Sequence, residues 1–261
     1  MAEPLIQVKK HVPAGTIIIN RPDKRNALSR EMIPQLEQAF RDLHGEKSVR
    51  AVILMGAGKA FCAGLCLEEL HAILQEDDSL QRWHHDTSAL RDLLLYMLRF
   101  PKPIIAAVNG PAMGLGAGLV LASDIAVGCE EASFGFPEPK RGVVSGLCAP
   151  LLHFRAGGRH AARLLLTAAP AHAQRAVEMG IYDELIESDK LWARSMEIAQ
   201  EIGATAPEAI QLTKRTLNEM VGEQLEMHLS AGAAASATSR TTAAAKEGLA
   251  AFVEKRDPEW R

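Results

Sequence analysis

Aromatic residues and cysteines are scarce in this sequence. Aromatic residues make up 5% of the 261 residues, although 48% are hydrophobic, so Leu, Ile, Val and Ala must fill most of the interior. A chain of this length can bury one large core, as a single domain or as a main domain with an appendage. The four cysteines are too few and too irregularly spaced for a disulfide framework. The fold therefore has to depend on aliphatic packing.

A metal site also lacks support in the sequence. Cys62 and Cys66 are close together, but no second pair of ligands follows at the spacing of a zinc finger or zinc ribbon. We interpret both cysteines as small residues packed beside a tight turn, and we predict no metal.

Strong positive charge and long hydrophobic runs are absent as well. The formal net charge is -3, and no run of Lys and Arg exceeds two residues, which argues against nucleic acid or a membrane surface as a partner. The N-terminal segment lacks an apolar run of signal-peptide length, and the longest apolar stretches are shorter than a bilayer span. We therefore expect a cytoplasmic protein whose partner is a small molecule.

Strands and helices alternate over the first two-thirds of the chain. Short apolar and β-branched runs predict strands at residues 16–20, 50–55, 103–108, 124–127 and 132–136. Between the first two, apolar residues at helical spacing predict a helix over residues 29–44, with Ser29 as its N-cap and Gly45 at its end. We expect a largely parallel sheet that is covered by helices.

The last third of the chain changes to consecutive helices. They are predicted at residues 159–166, 171–179, 190–202, 207–221, 223–233 and 241–255. The Ala-rich segment 231–245 fits a helix because alanine is the best helix former. We predict an α/β core domain over residues 1–195 and a helical region over residues 196–261, which packs on the core or on a neighbouring subunit.

Two glycine-rich turns, at residues 60–67 and 109–118, each join a predicted strand to a helical stretch. Free backbone N–H groups at such a helix N-terminus stabilise developing negative charge, so each turn is a candidate oxyanion donor. Residues 114–118 do not complete a dinucleotide-binding loop, because Leu119 stands where the third Gly or Ala should be. Residues 142–146 likewise miss the spacing of a nucleophile elbow, which argues against a serine hydrolase.

Glu138 lies after the second turn, in the segment Phe-Gly-Phe-Pro-Glu-Pro. Burial against Phe134 and Phe136 would raise the pKa of its carboxyl, as an acid or base that works near neutral pH requires. Two backbone donors and one such carboxylate suffice to stabilise and protonate the enolate of a thioester.

The chain resembles the crotonase, or enoyl-CoA hydratase/isomerase, superfamily. The resemblance covers nearly the whole chain and rests on five ordered motifs, at residues 20–28, 61–64, 103–110, 133–138 and 251–256. It implies an α/β, crotonase-like fold with a ββα superhelix core and a helical C-terminal region. It also implies an acyl-CoA substrate, with CoA present only as part of that thioester and no other cofactor.

The resemblance assigns the catalytic roles. It implies that the N–H groups of Ala63 and Leu115 hold the thioester oxygen and that Glu138 transfers the proton. The best-known hydratases use two glutamates, and the position of the first is Gly118 in this chain. Some relatives also have Gly at this position and resemble the branched-chain and isoprenoid glutaconyl-CoA hydratases. They are assigned as hydratases although they lack the first glutamate. Hydration is therefore our first expectation.

Two alternatives follow from the missing glutamate. A lone acid can move a proton between two carbons, as in the 3-enoyl to 2-enoyl-CoA isomerases. A protein that binds acyl-CoA on a crotonase scaffold without catalysis is an alternative of another class. A second acid could also come from the family's variable region at residues 68–98, where the candidates are Glu68, His71, His84, His85 and Asp86.

The resemblance also implies a set of substrate-binding positions. They are Lys24, Arg25, Ala27, Ala63, Gly64, Leu65, Cys66, Leu67, Gly114, Phe252 and Lys255. Phe252 and Lys255 resemble the pair that completes the CoA pocket from a neighbouring subunit, which implies a homotrimer or a dimer of trimers.

Overall fold

The computed structural model describes residues 3–220 and 222–260. The strands in this part of the chain are β1 (Ile6–His11), β2 (Ala14–Ile19), β3 (Ala51–Gly56), β4 (Ile104–Val108), β5 (Ala112–Met113), β6 (Ile125–Cys129), β7 (Ser133–Gly135), β8 (Ala171–His172) and β9 (Glu184–Ile186). The α-helices are α1 (Met32–Gly45), α2 (Leu67–Ile73), α3 (Ser79–Arg99), α4 (Leu115–Ala122), α5 (Ala149–Thr167), α6 (Ala173–Glu178), α7 (Leu191–Gly203), α8 (Pro207–Glu219), α9 (Gly222–Ser239) and α10 (Ala243–Glu254).

The main sheet has six strands in the order β1-β2-β3-β4-β6-β9. Every neighbouring pair is parallel except β1 with β2, which is antiparallel. The predicted, largely parallel sheet is therefore confirmed. Strand β1 was not predicted, because this edge strand is mostly exposed and carries Lys9, Lys10 and His11 rather than an apolar run.

The predicted strand at residues 132–136 exists as β7, but it belongs to a second sheet of three strands, in the order β5-β7-β8. Met113 of β5 pairs with Gly135 of β7, and the N–H of Gly114 donates to the carbonyl of Gly135 over 2.9 Å. This small sheet therefore brings the second glycine-rich turn next to the segment that leads into Glu138.

Helix α1 begins at Met32, three residues later than predicted, and Ser29 is not its N-cap. The N–H of Met32 donates to the carbonyl of Ser29 over 3.0 Å, and the Ser29 hydroxyl is buried without a hydrogen-bond partner. The helix does end at Gly45, as predicted.

The consecutive helices of the last third are present, with changed bounds. Helix α5 starts ten residues earlier than predicted and contains a break at Gly157, where φ is +79°. The predicted helix over residues 171–179 begins instead with the short strand β8. Val221, the predicted end of α8, lies outside the described residues. No helix in the described residues is long and apolar enough to cross a membrane.

The C-terminal helices pack on the α/β part of the same chain. Helix α9 lies against α3, and α10 contacts α2 and the 3-10 turn Glu138–Arg141. The approach is close: a Cβ placed on Gly146 would lie 2.3 Å from the carbonyl oxygen of Gly232 in α9. These helices therefore contribute to the surroundings of Glu138.

Candidate active site

A cavity of about 440 Å³ lies between the two glycine-rich turns, the 3-10 turn at Glu138 and helices α9 and α10. The predicted site residues that line it are Lys24, Arg25, Ala27, Ala63, Gly64, Leu65, Cys66, Leu67, Gly114, Leu115, Glu138 and Phe252. Lys255 does not line it; this exposed residue follows α10 as its C-cap, with a left-handed backbone at φ 58°. Its predicted role at a neighbouring subunit stays a prediction.

The first turn corrects the predicted donor. The N–H of Ala63 donates to the carbonyl of Arg25 over 3.0 Å, so it is already engaged within the protein. Leu65 and Leu28 form an isolated parallel β-bridge. In this bridge the N–H of Leu28 donates to the carbonyl of Gly64, and the N–H of Cys66 donates to the carbonyl of Leu28. Both bonds leave the N–H of Leu65 without a backbone partner among the described residues. The free N–H of this turn is therefore that of Leu65, two residues after the predicted Ala63.

The second turn also presents a backbone N–H without a partner in its helix. Gly114 has φ +54° and immediately precedes α4, a conformation that glycine adopts without the steric cost of a side chain. Leu115 is the first residue of α4, so its N–H has no partner within the helix. A Cβ placed on Gly64 would lie 3.4 Å from the nitrogen of Leu115. The two turns are therefore in close contact at the start of α4.

Glu138 faces these turns. A Cβ placed on Gly114 would lie only 2.5 Å from Oε1 of Glu138, so the carboxylate lies directly against the backbone at the start of α4. Its Oε2 is buried and has no hydrogen-bond partner among the described residues. A buried polar atom without a partner is costly in a folded protein and is typical of a functional group.

Burial raises the pKa of the Glu138 carboxyl above its ordinary value. Smaller opposing effects come from its own backbone N–H, from the Ser145 hydroxyl and from the positive charge of Arg240. The Ser145 hydroxyl lowers the pKa of Glu138 slightly, although it forms no hydrogen bond of ordinary geometry with a described residue. Phe134 and Phe136, which the sequence suggested as the cause of burial, do not line the cavity but pack edge to face in the core with ring centroids 5.4 Å apart.

Gly118, the position of the first family glutamate, is closed by Cys148. A Cβ on Gly118 would lie 2.7 Å from Sγ of Cys148, and this thiol donates to the carbonyl of Gly114 over 3.6 Å. Burial and the negative charge of Glu138 raise the pKa of Cys148 well above its ordinary value. The thiol is therefore neutral near pH 7 and does not replace the missing glutamate as a base.

None of the predicted candidates for a second acid is a buried group of the cavity. Glu68 lines the cavity, but it is exposed and pairs with Lys24 at 2.7 Å, which lowers the pKa of its carboxyl. Asp86 pairs with Arg30 at 2.7 Å. The histidine candidates, together with Asp86, do not line the cavity. Among the described carboxylates of the cavity, Glu138 is the one with a buried carboxyl oxygen, Oε2, whereas Asp23 and Glu68 are exposed.

The cavity also contains basic and aromatic residues suited to a CoA group. Phe252 lines the cavity of its own chain, and the guanidinium of Arg141 stacks on its ring at 4.9 Å from the ring centroid. Lys24 and Arg25 lie on the exposed rim. Positive charges with an aromatic face match the phosphates and adenine of CoA in their chemistry.

Several lining residues were not singled out from the sequence. They include Leu90, Met113, Arg141, Ser145, Leu147, Cys148, Ser236 and Arg240. One signal was present for Arg240, because it is the only charged residue between His228 and Lys246 in a segment of small residues. Within the described residues, no group of three or more His, Cys, Asp or Glu side chains is placed to hold a metal ion.

Comparison with known proteins defines the family. The family model for enoyl-CoA hydratase/isomerase matches residues 13–261, and the chain belongs to this family. It is 39% identical over 255 residues to a putative enoyl-CoA hydratase of Thermus thermophilus, covering 97% of this chain and 99% of that one. It is 33% identical over 260 residues to a putative enoyl-CoA hydratase/isomerase of Bacillus subtilis, covering 98% and 97%.

Solved structures agree with this assignment. The crystal structure of an enoyl-CoA hydratase/isomerase from Xanthobacter autotrophicus matches with a TM-score of 0.89 at 28% identity, over 98% of each chain. The predicted α/β, crotonase-like fold is therefore confirmed.

Proposed function

We propose that this protein is an enoyl-CoA hydratase that adds water across the double bond of a 2-enoyl-CoA, with Glu138 as its single acid/base. One observation carries the proposal: the buried carboxylate of Glu138, with an unpaired Oε2, lies against Gly114 at the point where Leu115 offers its N–H. The family and the names of its relatives support a CoA thioester as the substrate.

The proposed oxyanion hole is formed by the N–H groups of Leu65 and Leu115. As water adds to an enoyl thioester, negative charge develops on the carbonyl oxygen, and two fixed donors stabilise that charge without rearrangement. The N–H of Ala63 has no part in this proposal because it donates to Arg25.

Glu138 is proposed first to accept a proton and then to return it. The ionised carboxylate takes one proton from water while the oxygen of that water bonds to carbon 3. The electrons of the double bond move toward the carbonyl oxygen and give an enolate. The protonated Glu138 returns the proton to carbon 2, which completes the 3-hydroxyacyl-CoA and regenerates the carboxylate. A carboxyl whose pKa is raised by burial is suited to both halves of this cycle.

The rim of the cavity is proposed to bind CoA. Lys24, Arg25 and Arg141 supply positive charge for the phosphates, and Phe252 supplies an aromatic face for the adenine. We also propose a homotrimer or a dimer of trimers. Exposed apolar side chains on α8 and α9 support this assembly, namely Leu212, Leu217 and Met227. Sedimentation velocity tests it, and a monomer at micromolar concentration would contradict it.

A second candidate is 3-enoyl to 2-enoyl-CoA isomerisation. The absence of another buried carboxylate among the described cavity residues favours it, because isomerisation activates no water and needs one acid/base. Glu138 would remove a proton from carbon 2 of a 3-enoyl-CoA and return it to carbon 4.

Incubation with matched 2-enoyl-CoA and 3-enoyl-CoA substrates separates the two reactions, because mass analysis detects the addition of water and the absorbance of the conjugated thioester detects isomerisation, which leaves the mass unchanged. Hydration predicts that the 2-enoyl substrate gains one water. An isomerase would convert the 3-enoyl substrate to its 2-enoyl isomer and leave the 2-enoyl substrate unchanged. Binding of both thioesters without conversion of either would support an acyl-CoA-binding protein and contradict both reactions.

A further inference from the structure

Three buried polar atoms in the wall of the cavity have no hydrogen-bond partner among the described residues. They are Oε2 of Glu138, Oγ of Ser145 and Nη1 of Arg240. Burial of a polar atom without a partner costs free energy, so such atoms are few in native proteins and indicate where a bound group completes the site. A water held in a buried site needs at least two polar partners. The cavity wall therefore has polar atoms that can hold one.

Ser145 is a close neighbour of Glu138. The N–H of Val143 donates to the carbonyl of Glu138 over 3.2 Å, so the segment that carries Ser145 folds back on the 3-10 turn. Ser145 is 8% exposed and lines the same cavity as Glu138. Its hydroxyl interacts with the Glu138 carboxyl, but without a hydrogen bond of ordinary geometry. Each of the two side chains therefore keeps an oxygen atom that can bind a third group.

The backbone around Ser145 is fixed by hydrogen bonds. The carbonyl of Ser145 accepts the N–H groups of Cys148 and Ala149 over 3.1 and 3.0 Å, at the start of α5. The N–H of Val144 donates to the hydroxyl of Ser239 over 3.2 Å. A group that is held in place before the reaction loses little entropy when it engages a reactant. The position of the Ser145 hydroxyl is therefore suited to orienting a reactant in the cavity.

The chemistry of the three atoms decides which of them can orient a nucleophilic water. A water that attacks a carbon atom directs a lone pair at that carbon, so its O–H groups are best bound by acceptors. Oε2 of Glu138 is an acceptor when the carboxyl is ionised, and the hydroxyl oxygen of Ser145 also accepts hydrogen bonds. A guanidinium only donates, so Arg240 would engage a lone pair of the water instead. Glu138 and Ser145 are therefore the pair that fits the nucleophile.

We propose that Ser145 holds the attacking water against Glu138, in a site where the position of the first family glutamate is Gly118 and is closed by Cys148. The water donates one O–H to Oε2 of Glu138, which takes that proton, and the other O–H to Oγ of Ser145. The oxygen of the water then bonds to carbon 3. Ser145 keeps its own proton, so Glu138 remains the single acid/base. This inference rests on the proposed function and adds a second catalytic residue to it.

Ser145→Ala removes the proposed acceptor. We expect kcat for hydration to fall by about 10- to 100-fold, the range for one hydrogen bond at a reacting group, with little change in KM because the contacts to the thioester remain. Ser145→Thr keeps a hydroxyl and should retain part of the rate. Ser195→Ala is the matched control, because Ser195 is a buried serine of α7 outside the cavity, whose hydroxyl donates to the carbonyl of Leu191 over 2.9 Å. Wild-type kcat in Ser145→Ala would overturn the proposal.

Exchange of the carbon-2 hydrogens of a saturated acyl-CoA with D2O separates the water contact from an effect on Glu138. This exchange needs the acid/base and the oxyanion donors but no attack by water, and mass analysis counts the deuterium atoms. Ser145→Ala should catalyse the exchange at the rate of the wild type. Equal losses of exchange and hydration would show that Ser145 acts only through Glu138 or through the fold, and would overturn the proposal.

A crystal structure of the wild type with a bound saturated acyl-CoA tests the contact without a variant. We expect a water within hydrogen-bond distance of both Oε2 of Glu138 and Oγ of Ser145. A water that contacts Oε2 but not Oγ would overturn the proposal.

The rates of the wild type keep this proposal distinct from the proposed function. If the wild type adds no water to any 2-enoyl-CoA, the proposed function fails and the water contact fails with it. If the wild type and Ser145→Ala add water at the same rate, the hydratase stands and the water contact alone is overturned.

Discussion

The thiol of Cys148 occupies the space that a side chain on Gly118 would need, since a Cβ there would lie 2.7 Å from Sγ. Gly118 is the position at which the best-known hydratases of the family carry their first glutamate. Gly118 on α4 thus leaves the space that is filled by the thiol of Cys148, the residue that precedes α5.

Gly118→Ala should destabilise the protein by about 1–3 kcal/mol, because the added methyl group overpacks a buried site. Cys148→Ala removes the sulfur and should restore most of this loss in the double variant. Urea unfolding of the four proteins measures the coupling. Gly45→Ala is the control, because a Cβ there has no neighbour within 4 Å. Additive effects of the two substitutions would contradict the steric pairing.

Leu115→Pro should reduce turnover by about 100- to 1000-fold, because it removes one oxyanion donor. Leu115 is the first residue of α4, a position at which proline fits a helix and no internal hydrogen bond is lost. Leu115→Ala keeps the N–H and is the matched control for loss of the side chain. Steady-state kinetics of both variants decides, and equal losses would mean that the N–H has no catalytic role.

Gly114→Ala should abolish most activity, because the methyl group would displace the carboxylate of Glu138, which lies 2.5 Å from that position. A positive φ adds backbone strain, which Gly180→Ala measures separately. Gly180 has φ +70° and no neighbour within 4 Å of a Cβ. If Gly114→Ala keeps its activity while both variants lose similar stability, Glu138 does not depend on this close approach.

Glu138→Gln should stabilise the protein near neutral pH. Because burial raises the pKa of Glu138 in the folded state, the unfolded chain releases this proton first as pH rises, and ionisation then costs stability. The advantage of the variant should grow as the pH rises above about 4, the ordinary pKa of a glutamate in the unfolded chain, and vanish in acid, where the carboxyl is protonated in both states. Thermal unfolding across this range measures it. A constant difference would contradict a raised pKa.

Patterns along one strand or helix predicted the fold well, and features that depend on contacts between distant segments were missed. The strand over residues 103–108 and the helix over residues 207–221 follow from local apolar spacing, and both are present. The edge strand β1 was missed because its side chains face solvent. The second sheet, which contains β7, was not predicted, because the residues of β7 do not show that the strand pairs with β5.

The candidate site shows the same limit. The motifs were sufficient to place Glu138 and Leu115 at one cavity. They did not indicate which N–H of the first turn is free, because Ala63 is engaged by a carbonyl from Arg25, a residue remote in sequence. Arg240 lines the cavity because α9, which ends just before it, leads the chain there. The spacing of residues around the motifs does not reveal the course of this helix.

The most direct test of a hydratase with one carboxylate compares the wild type with Glu138→Gln on a short 2-trans-enoyl-CoA. Loss of the absorbance of the conjugated thioester reports the rate, and mass analysis identifies the product. Glu178→Gln, an exposed acid paired with Arg175 outside the cavity, is the matched control.

We expect the wild type and Glu178→Gln to add one water. Glu138→Gln should be slower by about 100- to 10,000-fold, the range for loss of an acid/base group, while it binds the thioester with unchanged affinity. Hydration by Glu138→Gln at the rate of the wild type would contradict the account.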